Sequence, residues 1–159
     1  TCFVAGKGAE GYEVLRDARY TIGSFMNPPE HWNKQDGAYI PWHTTGAGAF
    51  VAAVNGMFVQ LYDERGAILF PAISPALRNA SFERLLAGRG VAVSGSVEHG
   101  KITALVAHAP RDMAWTYRLP VTVAQKLQLN GTITDSQQEE GSYVTVRSRL
   151  KKGKNDLLD

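Results

Sequence analysis

The chain has 159 residues, 44% of them hydrophobic and 20% charged, enough for one ordinary globular core or two small ones. A net charge of +2 gives no electrostatic case for nucleic acid, and no nucleic-acid partner is expected. The single cysteine, Cys2, excludes an internal disulfide or a cysteine-based metal cluster.

No apolar run reaches the roughly 18 residues of a membrane span, so no membrane partner is expected. The chain opens "TCFVAGKG", inside an apolar stretch. That start reads as a piece of a longer or processed protein, and a secreted or periplasmic parent is compatible with the lack of disulfides.

The first helix is expected from about Ala9 to Phe25, because Val14, Leu15, Ala18, Ile22 and Phe25 recur at helical spacing. Residues 26–47 follow as a long loop with Pro28, Pro29, Gly37 and Pro41, too rich in Trp32, Tyr39 and Trp42 for a disordered segment. A second helix is read from Phe50, Val51, Val54, Met57, Phe58 and Leu61, with Thr44 or Thr45 as its cap. Near residue 65 the period changes from helical to alternating. Residues 67–71 form a short strand, and Val91, Val93 and Val97 lead through the turn Glu98–Lys101 into a return strand, Ile102 to His108. Further strands are expected at Met113 to Leu119, Val121 to Leu129 and Tyr143 to Leu150, with a tight turn at Asn130–Gly131. Residues 135–141 read as a solvent loop and the basic end, Arg147, Arg149, Lys151, Lys152 and Lys154, as a solvated tail. The expected fold is α+β: helices over residues 1–64, then an antiparallel, sandwich-like β domain over residues 65–159.

Chemistry concentrates in "PWHTTGAGAF" (residues 41–50). Amides at a helix start attract anions and hydroxyl oxygens. Gly46 and Gly48 let a ligand approach the backbone, and His43 donates or accepts near neutral pH. Trp32 and Trp42 offer flat faces for a sugar ring. The candidate substrate-binding residues are therefore Trp32, Trp42, His43, Thr44 and Thr45. The same pattern also suits a tight turn with tryptophans in a core. Glu30 and Asp36 are loop carboxylates that no spacing pairs, and a catalytic residue stays unassigned. His99 and His108 have no partner at metal-ligand spacing, so neither a metal nor another cofactor is expected.

Three stretches carry a resemblance: "HTTGAGAFVAAVNGMFVQ", "ILFPAISPAL" and "LLAGRGVAVSGSVEHGKITALV". They are similar to the C-terminal portion of glycoside hydrolases with an (α/α) six-hairpin barrel, most like the family 95 α-L-fucosidase-like enzymes. The likeness runs from Trp42 to about Thr103. It implies the last helices and active-site loop of a barrel, a carbohydrate substrate, and an upstream catalytic segment that holds the general acid. The chain alone would then be inactive. The family's loop usually carries an aspartate before glycine and asparagine; here Thr45 and Ala47 flank Gly46, so that catalytic role does not carry over. The hydroxyls and amides of Thr44 and Thr45 also resemble the phosphate loop of related family 65 phosphorylases. Two alternatives stand beside this reading: a non-catalytic sugar-binding β module with Trp115 and Tyr117 as a platform, and a structural domain that covers a barrel end.

Overall fold

The computed structural model describes residues 9–14, 44–61, 66–74, 76–125, 132–139 and 141–158. Residues 9–14 are helical (α1). Helix α2 (Thr44–Phe58) runs directly into β1 (Val59–Leu61), and then come β2 (Ala67–Leu69), β3 (Asn79–Leu86), β4 (Ala92–Glu98), β5 (Lys101–Ala109) and β6 (Met113–Pro120). A short helix α3 (Val121–Ala124) precedes β7 (Thr132–Glu139), β8 (Gly141–Leu150) and β9 (Gly153–Asp156). The strands form two sheets, β1-β2-β6-β8-β7 and β3-β4-β5-β9. Every pairing is antiparallel except β2 with β6. The described chain is therefore mixed α+β and dominated by antiparallel sheet.

Period-2 patterning decides which face of each sheet is buried. On β6 and β8 the pairs Trp115–Ser148, Tyr117–Val146 and Leu119–Val144 face inward. On β4 and β5 the pairs Val93–Ala107 and Gly95–Leu105 do the same. The β4–β5 hairpin closes through His99 and Gly100, with φ of 49° and 73°. Positive φ at both loop residues is what a two-residue turn needs to match strand twist. The buried faces of both sheets belong to one apolar cluster. The end of α2 joins it through Met57 and Phe58, and the Phe58 ring lies 5.0 Å from Phe82. Val59–Leu61 pair with Ala67–Leu69, so the sheet reaches back across residue 65.

Several expectations need correction. Residues 44–47 are the first turn of α2 rather than a loop, and the helix stops at Phe58 rather than Leu61. Strand pairing wins there: Val59 lies opposite Leu69, and the Phe70 amide donates to the Phe58 carbonyl. The expected apolar face is only partly covered, since Val51 is 56% and Leu61 63% exposed. Val121–Ala124 is helical rather than extended, because Pro120 ends the ladder and Gln125 N–H then closes on the Val121 carbonyl. The supposed solvent loop is largely β7, an edge strand held by its backbone ladder to β8. The supposed tail is the end of β8, with Arg147 and Arg149, followed by β9, which pairs with β5. Strand β3 went unseen because a bulge between Phe82 and Leu85, with Arg84 at φ 55°, interrupts its alternation. The rest of the first helix, the 26–43 loop and the Asn130–Gly131 turn lie outside the described residues.

Candidate functional site

Trp32, Trp42 and His43, with the loop carboxylates Glu30 and Asp36, lie outside the described residues. Thr44 and Thr45 open α2. They sit within its first turn rather than ahead of it, where the expected cap would stand.

Trp115 and Tyr117 do share one strand face, and that face points into the core. They are 1% and 0% exposed, and their rings stack with centroids 4.8 Å apart. A surface sugar platform at these two residues is thereby overturned. Burial drives the Tyr117 hydroxyl above its ordinary pKa of 10.0, and the neighbouring Ser148 hydroxyl offsets part of that rise.

The outer face of the β3-β4-β5-β9 sheet carries a polar group that spacing did not reveal. Ser94 Oγ lies 3.3 Å from His108 Nε2 and accepts the Arg84 amide at 3.1 Å. Lys154 stands opposite His108 in register, with its ammonium 3.9 Å from Asp156. A serine hydroxyl against an imidazole is half of a nucleophile–base pair. Here the serine oxygen is already committed to the Arg84 amide, which the β3 bulge removes from the ladder. The group clasps a bulge; the sequence signal for it, Ser94 and His108 fourteen residues apart, appears only once the hairpin register is known.

At one end of the molecule Asp112 ties two segments together. Its Oδ1 accepts the Lys152 amide at 2.8 Å, and its Oδ2 accepts from Lys151 Nζ at 3.1 Å. These bonds, the amide first, hold its carboxyl below the ordinary 3.8. Asn155 completes the β8–β9 turn, accepting the Lys151 amide at 2.8 Å and donating to the Lys151 and Gly153 carbonyls. On the outer face of β6 and β8, Arg118 is 6% exposed, with its guanidinium carbon 5.3 Å from the Tyr143 ring centroid. Among the described residues no group of three or more histidine, cysteine or carboxylate side chains gathers as a metal site.

No known family model matches the chain, and no curated protein matches it either.

Proposed function

We propose that the chain is a structural part of a carbohydrate-active enzyme: a terminal helix and its appended sandwich-like β domain, with the catalytic barrel helices elsewhere in the parent protein. The six-hairpin likeness supplies the enzyme class. The observation that favours this division of labour is the burial of three of the β domain's aromatic rings. Phe70, Trp115 and Tyr117 are each 1% exposed or less. Sugar platforms need exposed aromatic faces, so the stacking role is assigned to Trp32 and Trp42, beside His43, Thr44 and Thr45. The reading accounts for the way α2 ends in the β core, which suits a domain fastened to a helical body.

Calorimetric titration of neutral mono- and oligosaccharides, with a glycosidase assay alongside, tests this. The chain alone should turn over no glycoside, and Trp42→Ala should abolish whatever neutral-sugar binding the wild type shows. Glycoside hydrolysis by the isolated chain would overturn the proposal. So would sugar binding that survives Trp42→Ala.

A further inference from the structure

The outward face of β8 presents Arg147 and Arg149, both exposed, while Val146, Ser148 and Leu150 between and beside them are buried. Two residues apart on one strand, the arginine stems rise about 6.7 Å from each other. Their cross-strand neighbours on β6 are short: Thr116 opposite Arg147 and Ala114 opposite Arg149. On β7, Thr132 stands opposite Arg147. The β7 carboxylates Asp135 and Glu139 occupy register positions opposite Thr145 and Gly141 instead. No carboxylate among the described residues forms an ion pair with either arginine. Of the lysines at this end, Lys151 pairs with Asp112 and Lys154 with Asp156, and Lys152 is exposed. The result is a basic strip on β8, its two guanidinium forks flanked on β6 by the short Ala114 and Thr116.

We infer that this strip binds an acidic oligosaccharide through its carboxylates, one uronate group on each of Arg147 and Arg149. Charge complementarity selects an anion, and the residue type selects its geometry. A guanidinium offers two parallel N–H donors to one carboxylate, which a lysine ammonium does not. Single-stranded nucleic acid fits less well, because bases need aromatic platforms and Tyr143, the aromatic on this face, is half-buried beside Arg118. An anionic membrane surface fits less well too, since such binding draws on clusters of four or more uncommitted cations. The site is separate from residues 32–45; the inference shares with the preceding proposal only the carbohydrate class.

The test is calorimetric titration of the whole chain with a uronate tetrasaccharide and with its carboxyl-reduced, neutral counterpart. Wild type should bind the acidic sugar, more weakly as salt rises, and not the neutral one. The double variant Arg147→Gln/Arg149→Gln should lose about tenfold in affinity, and the double lysine variant should recover only part of it. Lys101→Gln, at the hairpin of the other sheet, should bind like wild type. Because both glutamines sit on an exposed face, an unchanged far-ultraviolet spectrum is expected. Should the double variant misfold, amide shifts of the wild type under titration decide, and they must centre on residues 147–149. Absence of uronate binding, or binding indifferent to the two arginines, overturns the inference. Tighter binding of a single-stranded DNA oligomer or of anionic vesicles through the same arginines overturns it as well. Failure here is read from acidic sugar and the arginines, whereas failure of the loop assignment is read from neutral sugar and Trp42.

Discussion

A methyl group at position 95 would have no room. A Cβ built there lies 2.9 Å from Phe70 Cζ and from the Phe82 ring, closer than packed carbons approach. The two rings, 5.7 Å apart and edge-on, close over a bare stretch of β4, Phe70 within the apolar cluster and Phe82 packed against it. Gly95→Ala should therefore destabilise the fold by about 1–3 kcal/mol, measured by urea denaturation, since an overpacked core must shift its rings or its backbone. Tyr117 gives a pH-dependent counterpart. Its folded pKa lies above 10.0, so at neutral pH both states hold the proton and no pH dependence arises. Above the unfolded value the unfolded chain loses its proton while the folded chain keeps it, and stability falls as pH rises. Tyr117→Phe should flatten that alkaline decline, read as unfolding midpoints over a pH series from neutral to above 10.

At the scale of elements, β7 and β9 are hidden from local pattern because strand pairing, more than an apolar face of their own, orders them. β7, "TITDSQQE", carries no apolar face of its own, and its ladder to β8 supplies the stabilisation. β9, "GKND", looks like a charged tail until Asn155 is seen opposite Ala107 and Leu157 is found 1% exposed, with its amide bonded to the Leu105 carbonyl. A solvated tail tolerates truncation of any side chain. Leu157→Ala should instead cost about 2–4 kcal/mol, within the range for a buried leucine, and thermal unfolding followed by circular dichroism will show it. The hairpin β4–β5 was legible beforehand because Val93 and Val97 alternate into the core and His99–Gly100 supplies the turn.

At the scale of the molecule, helix and sheets share one interior. Met57 and Phe58 close α2 inside the cluster that holds Val93, Leu105, Trp115 and Val146. Phe58→Ala should lower stability by about 3–5 kcal/mol and do so for the whole structure. Unfolding followed by far-ultraviolet circular dichroism and by near-ultraviolet aromatic signal should stay coincident, as expected of one cooperative unit. Two separated transitions would mean that the helix and the β domain unfold independently. The junction of α2 with β1 points to a single transition, since the helix ends at Phe58 inside the apolar cluster and the strand begins at Val59 with no linker between them.

Local pattern alone determined that helices come first and antiparallel strands follow, because period and turn chemistry are written in neighbouring residues such as Val91, Val93, Val97 and Gly100. It also marked residues 32–45 as the stretch richest in binding chemistry, and that assignment stands as a proposal. Only the tertiary arrangement decided that Trp115 and Tyr117 face inward, that Val59–Leu61 leave the helix, and that Arg147 and Arg149 share a face with Ala114 and Thr116. A strand has two faces of equal local propensity. Which one meets water is set by the sheet packed against the other, through residues distant in the chain.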